Sequence, residues 1–413
     1  MALANVKKRD ENIDVLKGLA IICVVLGHCG FPGSPYIYLF HMAVFFMASG
    51  YCFDAKKIQS CDNLWEYALK KLRSLWFPYV IFNTLGWIFY NTFIQIGFLT
   101  ENPEFPDAVS RMEWPSIVNA IAWVFHMNTW GTQKYFGAGW FIIVLFYITI
   151  LFAALCLATE SCKKRVCLMA RKGRRQNCNI DNMESTDNIG NTGSAGNVNE
   201  ILPKTELALN ILQHVILLSS GAISLYVSWK LQCKQLTLEE CITSATVCYP
   251  LYVFGFYLKK LSGRINTVIW RFRYVIAVLG IPAFYIAGRY GGISLNLNTY
   301  PSWQFLLLCS LMGWVWLLAL AMCFTYKKWK IKNVLTYIGK RTIYILFLHF
   351  LAFRPVVALQ LMVYHEPSYL LASFPILVKG GGWWILYTIA GVGLPLLAEK
   401  IVLAITHCLH IKD

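Results

Sequence analysis

Ten apolar runs of bilayer length recur along this chain, at roughly 13–30, 36–53, 75–97, 138–158, 207–230, 241–258, 274–289, 304–325, 338–358 and 383–407. A soluble fold of 413 residues cannot bury so many such segments, whereas a hydrocarbon core about 30 Å thick takes one helix per run. Backbone polar groups in lipid must be satisfied within each segment, which selects helices. The expected fold class is therefore all-α: a polytopic integral membrane protein of about ten transmembrane helices. The seventh run is short and contains Pro282.

Charge sorts the connections between the runs. Basic clusters (KKR at 7–9, KKLR at 70–73, KKR at 163–165, RKGRR at 171–175, KK at 259–260, KKWKIK at 327–332) fall in alternate connections. The other connections hold only Arg111, Lys134, Lys230, Lys234, Arg289 and Lys379. This is the positive-inside pattern, and it puts both termini in the cytoplasm. The net charge of +16 is thus dispersed rather than gathered in one patch, so no nucleic-acid partner is expected, and membrane lipids are. The first run carries Asp14 and Lys17 and lacks a small-x-small exit, so it does not read as a cleavable signal peptide.

The chain reads as one membrane domain over 1–413, with two long connections. Residues 159–206 begin basic and end rich in Asn, Gly, Ser and Thr, a composition expected of a flexible cytoplasmic linker between the fourth and fifth spans. Residues 98–137 form the longest outer loop and contain SIVNAIAWVFHMN, apolar but too short to span, as in an interfacial or re-entrant helix. The 14 cysteines are scattered. Cys162, Cys167 and Cys178 lack a CxxC pair and no HExxH occurs, so no metal site is expected.

Within this frame a polar line marks the first span. At about 100° per residue, Asp14, Lys17 and His28 share one narrow helical face, and Lys17 and His28 lie roughly 16 Å apart along it. Ionisable groups inside a span cost about 2.5–3.5 kcal/mol each on insertion scales, and their default reading is functional. The tight link GFPGSPY makes spans one and two an antiparallel hairpin, which brings His41 to the depth of His28. His41 fits a site role and a core histidine equally. Ser49 and Gly50 form a small patch for a close helix contact or a slim ligand. Lys70, Lys71 and Arg73 cluster before span three, either as ordinary topogenic charge or as an anion site. Trp140, at the outer start of span four, suits stacking on a sugar face or an interfacial belt. His349 lies near mid-bilayer in span nine, where an unbonded histidine is costly.

These residues resemble a known family. IDVLKGLAIICVVLGH, YLFHMAVFFMASGY and KKLRSLWFPYVIFN look like the opening of the acyltransferase 3 family of integral membrane acyltransferases, nearest its fucose 4-O-acetylase-like branch. GAGWFIIVLFYI at 137–148 and YIGKRTIYILFLHF at 337–350 extend the resemblance over essentially the whole chain. It implies an O-acyltransferase of the bacterial cytoplasmic membrane that takes acetyl from cytoplasmic acetyl-CoA. The acceptor it implies is an extracytoplasmic glycan or lipid-linked sugar, and acyl-CoA would be a substrate rather than a permanently bound cofactor. The family's histidine matches His28. Its usual arginine eleven residues earlier is Lys17 here, and its basic cluster matches Lys70, Lys71 and Arg73. Lysine acts as a point charge and does not form arginine's bidentate fork. The implied roles are His28 as general base or acyl acceptor, Lys17 oriented by Asp14, and CoA phosphates on Lys70, Lys71 and Arg73 with Ser49 along the pantetheine path. The acceptor would lie near His41, Trp140 and His349. Two other classes fit buried Asp, Lys and His: a proton-coupled transporter or flippase, and a membrane binding module for an amino acid or cell-wall precursor. The transporter lacks the expected pair of Gly/Pro-broken spans in matching halves.

Overall fold

The computed structural model describes residues 10–105, 108–125, 134–184, 198–235, 240–326, 330–377 and 380–410. Among them every regular element is a helix, with no β-strand beyond a single Ser294–Thr299 bridge. The helices are α1 (Glu11–His28), α2 (Ser34–Tyr38), α3 (His41–Cys52), α4 (Cys61–Lys71), α5 (Phe77–Ile88), α6 (Tyr90–Gln95), α7 (Trp114–Phe125) and α8 (Trp140–Glu184). They continue with α9 (Val198–Cys233), α10 (Glu240–Ala287), α11 (Trp303–Tyr326), α12 (Lys330–Lys340), α13 (Thr342–Ala352), α14 (Arg354–Tyr364) and α15 (Trp383–His410).

Among the described residues, six helical segments are long and apolar enough to cross a membrane: Tyr135–Met169, Thr205–Cys233, Cys241–Ala287, Trp303–Tyr326, Thr342–Tyr364 and Trp383–Ala404. The difference from about ten has local causes. The first run, α1, carries Glu11, Asp14 and Lys17. The second is divided at Leu39–Phe40 into α2 and α3, and the third into a π-helical turn (Leu72–Trp76), α5 and α6. The sixth and seventh are joined in α10. Straight, its 48 residues would extend about 72 Å. Yet Ser244 Oγ donates to Asn296 O at 3.0 Å, and nine residues past Ala287 reach at most about 32 Å. Both ends of α10 thus lie at one end of the bundle, and the helical run doubles back on itself.

The core is apolar as in a soluble protein, but the exterior is apolar as well. α1, α3, α11 and α13 supply a buried core, while large apolar residues stand open on α9 (Leu207, Ile211), the second limb of α10 (Val278, Ile281) and α15 (Ile389, Val402). Such an exterior suits lipid as the solvent. α7 occupies the expected short apolar segment: it packs on α5, with Ile117, Ala120 and Val124 buried and Trp114 and Trp123 exposed. Helix enters the 159–206 connection from both sides: α8 continues to Glu184, where Lys- and Arg-rich sequence propagates a helix already nucleated by a span, and α9 begins at Val198; 185–197 lie outside the described residues.

The two long connections leave opposite ends. Lys164 Nζ donates to Gln59 Oε1 at 2.9 Å at the lysine-rich end, hereafter the basic end. Tyr135, which donates to Phe98 O, packs on Phe374 at the end carrying His28. A protease-cleavable tag within 159–206 is expected to be cut only from the cytoplasmic side, and one within 98–115 only from outside. Cleavage of the first from outside overturns the charge-sorted topology.

Candidate functional site

Two cavities lie along the face of α1 that bears Lys17 and His28. At the far end, α1 terminates at His28 and the short link returns α2 against it. Tyr38 Oη lies 3.1 Å from His28 Nδ1, and the Tyr38 ring meets His41 edge-on at 4.9 Å. His41 Nδ1–H donates to Ile37 O at 2.9 Å. These three side chains, with Val24, Met42 and Trp140, line a cavity of about 340 Å³, the scale of a small-molecule site. His349 is not among its described lining residues. It stacks on His28 from behind, ring centroids 5.5 Å apart. Its Nδ1–H is shared between Ile345 O and Leu346 O at 2.9 Å each, and its buried Nε2 has no hydrogen-bond partner among the described residues.

The second cavity, about 500 Å³, opens at the basic end. Its charged lining is Lys17, Lys57, Lys70 and Lys71 against Asp54 and Glu66, and Ser49 and Cys52 contribute from α3. Lys17 Nζ stands 3.8 Å from Cys52 Sγ. Lys71, on α4 outside the membrane-crossing segments, has its ammonium pushed down to about 8, first by burial and then by the charges of Lys17 and Lys70. The four lysines concentrate positive charge at this cavity, and an anion would be welcome there.

The remaining expected residues fall elsewhere. Arg73 sits in the π-helical turn after α4 and lines an adjoining groove with Glu66 and Lys70. A π turn rotates the following side chains off the preceding face. Asp14 is buried, its backbone carbonyl against Gly339 of α12, and is not among the described lining residues of either cavity. Gly50 takes the helix-contact role against α10 while its neighbour Ser49 faces the basic cavity.

Between the cavities, Lys17 to Val24 on α1 and Met42 to Ser49 on α3 each span seven residues, about 10 Å. Phe46 and Phe141 stand there, ring centroids 4.8 Å apart. Two further elements lacked a sequence signal. Arg354 is buried and donates to Leu371 O and Ser373 O at 2.7 Å each and to Pro375 O, pinning the segment that brings Phe374 to the His28 cavity. The turn between α10 and α11 contributes Ile293, Ser294, Leu295 and Asn296 to the cavity wall. Its NLNTY composition reads only as a loop.

A family model described as Acyltransferase domain matches residues 10–400. No curated protein matches the chain, and no solved structure does.

Proposed function

This chain belongs to the acyltransferase-domain family, and on that premise we propose that it is an O-acyltransferase. It would move an acetyl or other short acyl group from cytoplasmic acyl-CoA to a hydroxyl of an extracytoplasmic glycan or lipid-linked sugar. In this reading α1, α2–α3, α5–α6 and both limbs of α10 cross the bacterial cytoplasmic membrane together with the other long helices, and both termini are cytoplasmic. We place the chain nearest the fucose 4-O-acetylase-like branch. The observation that carries the proposal is the pairing of a lysine-rich cavity and a histidine-bearing cavity on one face of one helix.

CoA is anionic at its nucleotide end and slim along its pantetheine arm. Its phosphates meet Lys17, Lys70 and Lys71, with Arg73 at the adjoining groove. The arm passes Ser49 and displaces the Phe46–Phe141 contact, which brings the thioester toward His28. With Nδ1–H donating to the Tyr38 oxygen, His28 Nε2 keeps its lone pair and takes the acceptor hydroxyl proton. The alkoxide oxygen attacks the thioester carbonyl, the C–S bond breaks, and His28 returns the proton to the CoA thiolate. His41 and Trp140 contact the acceptor. His349, packed behind His28, holds the ring in place, and Asp14 steadies the helix that carries Lys17.

Replacing Lys17, Lys70 and Lys71 with Gln is expected to weaken acetyl-CoA binding at least about tenfold, since charge-assisted contacts are lost. The loss should be largest at low salt. Because Lys71 gives up its proton near 8, donor affinity should fall as pH rises through 8, well below the ordinary lysine range. Lys71→Arg should abolish that decline. Titration calorimetry across pH checks both, and unchanged donor affinity in the triple variant returns the cluster to a purely topogenic role. Labelled acetyl-CoA separates this enzyme from a carrier: label reaches an acceptor in the first case, and solute crosses without label transfer in the second.

A further inference from the structure

One wall of the His28 cavity is built by Ile293, Ser294, Leu295 and Asn296, within the 288–302 turn, a connection that a membrane protein could leave mobile. Here it is fixed at several points. Ser228 Oγ–H donates to Asn298 Oδ1 at 2.6 Å, and Asn298 Nδ2 donates back to Ser228 O at 3.0 Å. Gln232 Nε2 donates to Tyr300 O at 2.7 Å, and Ser244 Oγ to Asn296 O at 3.0 Å. Ser294 and Thr299 exchange backbone bonds of 2.8 and 2.9 Å. Asn298 holds φ +51°, a conformation Asn tolerates better than most residues. Ile293, Leu295 and Tyr300 are buried beneath the turn. Ser294 Oγ–H donates to Asn296 Oδ1 at 2.7 Å and so sets the amide at the cavity wall.

The two cavities also differ in charge. Among the described residues lining the His28 cavity there is no Asp, Glu, Lys or Arg, whereas four lysines face the other. A carboxylate or phosphate entering the His28 cavity would lose water with no fixed cation among the described lining residues to replace it. A neutral sugar ring meets the negative π-face of Trp140 with its C–H groups and offers hydroxyls to Ser294 and Asn296. We propose that the 288–302 turn is the acceptor-selecting element and that it admits an uncharged, hydroxyl-rich face, a neutral sugar ring. The assignment of that ligand as acceptor rests on the acyl-transfer reading.

The test uses three probes, 4-nitrophenyl β-glucoside, β-glucuronide and β-glucosaminide, with the full-length protein in detergent. Binding is read by saturation-transfer NMR, which needs no turnover, and transfer by label from acetyl-CoA. The glucoside should bind and accept label at least about tenfold better than either charged probe. Ser294→Ala and Asn296→Ala should each raise its KM by about tenfold, the loss of one hydrogen bond, with a much smaller change in kcat. Asn296→Lys should move the preference toward the glucuronide, which a merely structural role for Asn296 would not do. The proposal is overturned by glucuronide binding that equals glucoside binding, by no glucoside binding, or by an unchanged order in Asn296→Lys. Binding in the expected order with no label transfer would instead sink the acyl-transfer reading and leave the subsite standing.

Discussion

His28→Ala is expected to lower acetyl transfer by about 10²–10⁴-fold while acetyl-CoA still binds, the usual cost of removing a general base. The separation follows from geometry. His28 closes the cavity at one end of α1, and the lysines stand at the other, roughly 16 Å away along the helix, so the variant leaves the donor cavity intact. His28→Gln keeps some hydrogen bonding to Tyr38 but cannot carry a proton, and should be as inactive as alanine. Tyr38→Phe should fall between these variants and wild type. It removes the 3.1 Å partner of Nδ1, so the ring loses its preferred tautomer while keeping its place against Phe350 and His349. The measurements are turnover with labelled acetyl-CoA and donor affinity by calorimetry, at matched thermal stability. Wild-type turnover in His28→Ala removes the base assignment and turns the search to His41 and His349.

The second large effect is on folding, at the crossing of α3 and α10. A Cβ added at Gly50 would lie 1.9 Å from Tyr252 O, and one at Gly255 would lie 2.0 Å from Met47 O. Both obstacles are backbone, so no side chain can rotate aside, and the helices must separate. Overpacking costs about 1–3 kcal/mol even where side chains can adjust; here the close helix approach that small residues permit in lipid is lost as well. Gly50→Leu should therefore fail to give a monodisperse protein, and Gly50→Ala and Gly255→Ala should each melt many degrees lower. Ser49→Ala, one residue away, loses only the Ser49 Oγ donation to Phe45 O and serves as the control. A Gly50→Leu protein that melts within a few degrees of wild type would refute the contact. Because α3 lends Met42 to one cavity and Ser49 to the other, activity should fall with folding in the glycine variants.

Much of the candidate site could be read from spacing alone. Lys17 and His28 share a face because helical periodicity places them there, whatever packs against α1. The short link after His28 forces α2 and α3 back alongside, so His41 had to arrive near His28. Spacing does not show that Arg73 stands in a π turn beginning at Leu72, beside the groove that adjoins the lysine-rich cavity. Nor does helical angle show which neighbour packs on α1 where Asp14 lies; α12 does, its Gly339 against the Asp14 carbonyl.

Apolar runs, alternating basic connections and the polar line on α1 are local properties of the chain. They suffice for an all-helical membrane protein because lipid requires each segment to satisfy its own backbone. Tertiary structure alone decided that Arg354 reaches across to carbonyls at 371, 373 and 375, and that a turn near residue 294 walls the cavity of a histidine at 28. These pairings join residues far apart in sequence through shape and hydrogen bonding. Periodicity carries no record of a partner contributed by another part of the chain.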